Sequence, residues 1–167
     1  LRFELGDRAE AVAEMETLVE GAEPSELTHR IKVALAKMRQ ASADSAGARA
    51  LVDEVLQADP GHVAALKMRA GWLIEDDSPD DALIELRRAL DQAPRDAEVL
   101  TLMARAHERA GQRDLMGEML SRAVQASTSA PAESLRHASF LIGEGRLRSA
   151  ESVLLDALRL DRGNRSL

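Results

Sequence analysis

Two short stretches, LQADPGH at 56–62 and LDQAPRD at 90–96, decide how this chain folds. They place Pro60 and Pro94 at equivalent points 34 residues apart. Sliding the 167-residue sequence by the same 34 brings other positions into register. Ala36, Ala70, Ala104 and Ala138 share one phase, and Ala48, Ala82, Met116 and Ala150 share a second. Val55, Ala89, Ala123 and Ala157 form a third, each followed by Leu56, Leu90, Val124 or Leu158. A further phase holds Val52, Leu86, Leu120 and Leu154. Scattered alanines would drift in phase, and these do not. A small residue recurring at fixed spacing marks the crossing of two close helices, and the larger apolar phases fill the layer between neighbouring units.

Each unit is helical. In DDALIELRRAL, Ala82, Leu83, Leu86, Ala89 and Leu90 follow i, i+3, i+4, i+7 spacing, with Arg87, Arg88 and Asp91 on the opposite face. Ser78 is expected to cap this helix, Pro79 suits its first turn, and Asp80 and Asp81 face the positive end of its dipole. Gly111-Gln112 and Gly145-Arg146 mark turns inside the later units. The pattern predicts helical segments at 1–5, 7–20, 26–41, 46–58, 62–75, 79–92, 96–110, 113–126, 131–143 and 147–160, and no strand. The frame is a partial unit at 1–25, full units at 26–60, 61–94, 95–128 and 129–162, and the start of another at 163–167. Both ends have the look of cuts within a longer protein. The 19 arginines against 3 lysines fit a GC-rich, bacterial genome.

The small residues at helix crossings, the 34-residue period and the closing proline resemble tetratricopeptide repeats. The second unit matches best, with Leu66, Ala70, Leu73, Ala82, Leu86, Ala89 and Pro94 at the family's signature positions. The chain departs at Leu66, where the family has Trp, and at Met116, where it has a small residue. Lys32 and Arg39 stand at phases that are normally apolar. The resemblance implies an all-α fold: a right-handed α-solenoid of antiparallel helix-turn-helix repeats. It also implies a non-enzymatic scaffold for protein–protein interaction. By analogy with long bacterial arrays, an alternative is a structural spacer or assembly element of an envelope or secretion complex, acting through its ends or convex face. The same analogy tilts the compartment towards the envelope.

Composition narrows the function classes. Twenty-two basic and 29 acidic side chains leave a formal charge of −7, which disfavours nucleic acid as the main partner. Aromatics are 2% of the chain, too few for a base-stacking platform or an aromatic cage. With no cysteine, disulfides, thiolate metal sites and thiol nucleophiles are excluded. No apolar run is long enough to span a membrane. His29, His62, His107 and His137 form no metal-ligand spacing motif, so no metal or cofactor is expected. The acidic run EDDSPDD at 75–81 lacks the alternating ligands of a calcium loop, and GEG at 143–145 lacks a phosphate loop's Lys-Ser/Thr end. No serine lies in a nucleophile elbow, and the six methionines sit at core-like phases.

In the family's frame, first helices line the concave face of the solenoid. The inner-face positions hold six basic residues (Arg30, Lys37, Lys67, Arg105, Arg109, Arg136) and three acidic ones (Glu75, Glu98, Glu108). Val33, Met68, Leu102 and Leu135 run between the charges. The resemblance therefore implies a partner-binding groove formed by Arg30, Val33, Lys37, Lys67, Met68, Leu102, Arg105, Arg109, Leu135 and Arg136. It would take a protein or peptide segment with acidic and apolar side chains. End-to-end pairing of two copies is the competing mode of association.

Overall fold

The structure, a computed structural model, describes residues 8–19, 21 and 23–160. Among these it contains nine α-helices and no strand: α1 (Arg8–Val19), α2 (Glu26–Ala41), α3 (Ser45–Ala58), α4 (Val63–Glu75), α5 (Pro79–Gln92), α6 (Ala97–Arg109), α7 (Arg113–Ala126), α8 (Pro131–Gly143) and α9 (Leu147–Leu160). Each lies within one residue of the helix expected from periodicity. The expected stub at 1–5 and the segment at 163–167 lie outside the described residues. The fold is of the all-α helical-repeat solenoid class.

The chain divides into two compact units, Leu1–Arg69 and Ala70–Leu167, with the boundary inside α4. In the first unit, α1 packs on α2 and α2 on α3. In the second, each helix from α5 to α9 packs on the next among α5·α6, α6·α7, α7·α8 and α8·α9. The contacts within hairpins α2–α3, α6–α7 and α8–α9 are more extensive than those between successive hairpins. The small-residue phases account for this. Ala36, Ala48, Ala70, Ala82, Ala104, Ala138 and Ala150 are all buried, as are Val55, Ala89, Ala123 and Ala157. Leu66, Leu86, Leu100 and Leu141 fill the layers between them.

The turn within each hairpin repeats at the same 34-residue interval. Ala43, Asp77, Gly111 and Gly145 all adopt the left-handed conformation, with φ of 57° to 70°. The next residue in each case (Asp44, Ser78, Gln112, Arg146) donates its backbone N–H to the carbonyl of Arg39, Leu73, His107 or Leu141, at 2.8–2.9 Å. This closes the first helix in a Schellman-type arrangement. Gly111 and Gly145 adopt that conformation without a Cβ penalty, whereas Ala43 bears about 1–2 kcal/mol.

Local capping differs from helix to helix. Ser25 and Thr28 form a reciprocal capping box at the start of α2, with Thr28 N–H donating to Ser25 Oγ at 3.2 Å and Ser25 N–H to Thr28 Oγ1 at 2.7 Å. Asp96 accepts from Glu98 and Val99 N–H at 2.9 and 3.0 Å. Ser78 occupies the N-cap position of α5 as expected, but its side chain makes no capping bond. Asp44, at a similar ψ of 71° against 62°, does cap α3 by accepting from Gly47 N–H at 2.9 Å.

The charged residues at apolar phases also find a physical reason. Lys32 donates to Glu54 at 2.9 Å, joining α2 to α3. Arg39 pairs with Glu16 of α1 and lies 3.8 Å from Asp44. Both side chains are largely covered, and their charged ends meet carboxylates of neighbouring elements.

Candidate functional site

The second unit carries a cleft of roughly 500 Å³ between α6, α7 and α8. Helix α6 is started by the Asp96 cap, and its exposed face presents Thr101, Arg105 and Glu108 at successive turns. Helix α8 starts at Pro131, suited to a first turn, and brings Leu135, Arg136 and Ser139 to the same cleft. Met116 and Leu120 from α7, with Phe140 from α8, supply the apolar floor. Arg105, Arg113 and Arg136 against the single carboxylate Glu108 make the lining net positive. Arg136 is 3.3 Å from Glu133 one turn earlier, and Arg113 donates through Nε to Glu144 at 2.9 Å. Leu135 is 42% exposed, an apolar contact ready to be covered.

Three residues expected for the groove, Arg105, Leu135 and Arg136, thus meet around one cleft. Leu102 is half-buried on α6, outside the lining. Arg109, in the last turn of α6, lies 3.7 Å from Asp77. In the first unit, Arg30 and Lys37 are exposed on α2, and Lys67 and Met68 are half-buried on α4. Val33 is 5% exposed, because α2 is covered by both α1 and α3.

On the other side of Phe140 lies a second cleft of roughly 540 Å³, walled by α7, α8 and α9. Its lining includes Gly117, Arg122, His137, Phe140, Arg146 and Val153. The Phe140 ring packs against the buried cluster of Ala138, Leu141 and Ala150. It lies over Gly117 so closely that a Cβ there would come 2.5 Å from Cε1 and 2.7 Å from Cζ. The small residue missing at Met116 is therefore found one position later, where the ring needs it. Sequence periodicity missed this pairing because it looks only at equivalent phases; the visible signal was a glycine in mid-helix, next to the phase break.

The histidines take separate roles. His107 is buried and its Nδ1 lies 2.7 Å from Gln112 Oε1. His137 has a buried Nδ1 without a hydrogen-bond partner, and its pKa is lowered, first by desolvation and second by the Arg146 charge. Among the described residues, no helix is long and apolar enough to cross a membrane.

Residues 39–106 match a family model described as tetratricopeptide repeat. No curated protein sequence matches the chain significantly. Solved structures do. MamA (41-end) from Desulfovibrio magneticus RS-1 is similar, with a TM-score of 0.75, 18% identity, and 99% of this chain and 92% of that chain covered. A MamA RS-1 ArsTM double mutant gives 0.74, 17%, 99% and 92%. A crystal structure of MamA gives 0.73, 14%, 96% and 92%. At these identities the likeness establishes the fold.

Proposed function

We propose, for a chain that carries a tetratricopeptide-repeat domain, a non-enzymatic protein-interaction scaffold whose binding groove is centred on the cleft between α6, α7 and α8. One observation carries this reading: Arg105, Leu135 and Arg136 converge on a cleft with an apolar floor of Met116, Leu120 and Phe140. Positive charge at a rim around apolar ground suits an extended or helical segment bearing acidic and apolar side chains. Arg109 and Leu102 would extend the groove along α6. Within the first unit, Arg30, Lys37, Lys67 and Met68 would offer a partner-facing surface of their own, while Val33, expected there too, is buried; the repeat frame for this reading is 26–60, 61–94, 95–128 and 129–162.

The test is fluorescence anisotropy with a labelled peptide alternating Glu or Asp with Leu. Arg105→Glu and Arg136→Glu should each weaken binding about tenfold, which is about 1.4 kcal/mol. Higher salt should weaken it further. Affinity unchanged in both variants would sink the groove assignment.

A second reading has its own observation. Leu155 and Leu158, one turn apart on α9, are 44% and 39% exposed. An apolar helix face of this kind supports a spacer or assembly role through end-to-end contact. Light scattering across concentrations separates the two: mass growing with concentration, and abolished by Leu155→Glu with Leu158→Glu, favours association through α9. A constant monomer mass favours the groove.

A further inference from the structure

We propose that Glu26, His29 and Asp59 form a binding site for one divalent cation of borderline hardness, zinc above all. Their ligand atoms all lie within 4.8 Å of one another. Two come from α2 and one from the turn between α3 and α4, so residues 33 positions apart in sequence converge in space. Glu26 and His29 stand three residues apart at the start of α2, which puts them on one helix face.

Two observations separate this cluster from ordinary helix-start acidity. The first concerns capping. Ser25 and Thr28 already satisfy each other's backbone N–H groups, so the cap does not recruit Glu26. The second concerns His29, whose Nε2 is buried and has no hydrogen-bond partner. Buried polar atoms are nearly always paired, so this ring, one nitrogen of which belongs to a cluster with two carboxylates, has hydrogen-bonding or ligand capacity left over.

The supporting structure is firm. Asp59 is held from three sides. One carboxylate oxygen accepts from Gly61 N–H at 3.0 Å, its own N–H donates to Val55 O at 2.8 Å, and its carbonyl accepts from His62 N–H at 3.2 Å. The second carboxylate oxygen remains for an ion. The His62 ring stands edge-on to His29, with centroids 6.0 Å apart and planes at 88°. His62 Nδ1 accepts from Ala65 N–H at 3.3 Å, so that lone pair is engaged and the ring serves as a wall. The positive end of the α2 dipole opposes a cation here, and two carboxylates offset it.

The donor set selects the ion. One imidazole and two carboxylates suit zinc, nickel or cobalt; calcium and magnesium favour oxygen ligands throughout. Zinc bonds of about 2.0–2.2 Å require the ligand atoms to draw together by roughly an ångström, a movement that the exposed Glu26 side chain can supply. A water would complete a tetrahedron. Binding would fasten the start of α2 to the α3–α4 turn within the first unit. It does not depend on the groove, which lies in the second unit.

The experiment is calorimetric titration of the full chain with zinc chloride, together with thermal melts. One zinc per chain is expected, with a melting temperature raised by about 5–10 °C at a hundredfold excess over Kd. Glu26→Gln and His29→Gln should each weaken zinc binding at least tenfold. Glu26 is exposed, so its substitution leaves the fold intact, and metal-free circular dichroism of both variants should match the parent. Zinc affinity unaltered in both variants, no zinc binding by the parent, or calcium binding as tight as zinc would each overturn the assignment.

Discussion

The two clefts of the second unit share one wall, Phe140, yet differ in kind. The cleft on the α6 side gathers residues from equivalent phases of successive first helices, Arg105 and Ser139 among them. The cleft on the α9 side is built from a local break in the repeat, where Gly117 rather than residue 116 makes room for an aromatic ring. The first has a net positive lining with an exposed leucine. The second mixes Asp114, Glu118 and Glu144 with Arg122 and Arg146 around His137. A surface produced by repetition can be extended along the array; a surface produced by a departure from repetition occurs once.

Removing the shared wall is the strongest way to break this contrast. Phe140→Ala should merge the clefts and destabilise the protein by about 2 kcal/mol in chemical denaturation, below the usual cost for a fully buried ring because Phe140 is half-buried. Charge reversal sharpens the contrast from one side. Arg105→Glu with Arg136→Glu should reduce acidic-peptide affinity by more than tenfold with little change in stability, while Arg122→Glu, on the other cleft, should leave that affinity unaltered.

Gly117→Ala tests the break itself. Crowding against Phe140 costs about 1–3 kcal/mol, and alanine's helix propensity returns about 1, so net destabilisation near 1 kcal/mol is expected. In a Phe140→Ala background the same change should become stabilising. A Gly117→Ala effect of equal size in both backgrounds would show that the ring and the glycine are not coupled.

The smallest effect concerns pH. The His137 pKa is lowered in the folded state by burial and then by Arg146. Between the folded pKa and about 6.5 the unfolded chain binds more protons, so stability rises with pH there and is fully present above about 6.5. Melting temperatures compared at pH 7.5 and 5.5 should fall less in His137→Gln than in the parent. Equal falls would mean that the ring is not desolvated.

The balance between local and non-local information runs through particular residues. All nine described helices were legible because an apolar stripe of period 3.6 and a small residue every 34 positions are written along the chain itself. That Arg105, Leu135 and Arg136 line one cleft was legible for the same reason, although Leu102, at the phase of Arg136, lies outside the lining. Val33 shares the phase of Leu135 but is buried, because its exposure depends on how closely α1 and α3 cover α2. Ser78 stands at the expected cap without capping, whereas Ser25, at a more extended backbone (ψ 162° against 62°), does cap, so the bond depends on local geometry as well as on residue type.

The sequence by itself determined the helices, their hairpin pairing and the 34-residue frame, since each follows from side-chain size and spacing over a few turns. That frame constrains even the backbone: Ala43 and Asp77 adopt the same left-handed turn as Gly111 and Gly145. Only the tertiary structure decided that Phe140 lies over Gly117, and that Glu26 and His29 meet Asp59 across a hairpin. Those meetings depend on how whole helices pack, and packing geometry sums many small contacts that no single stretch of sequence contains.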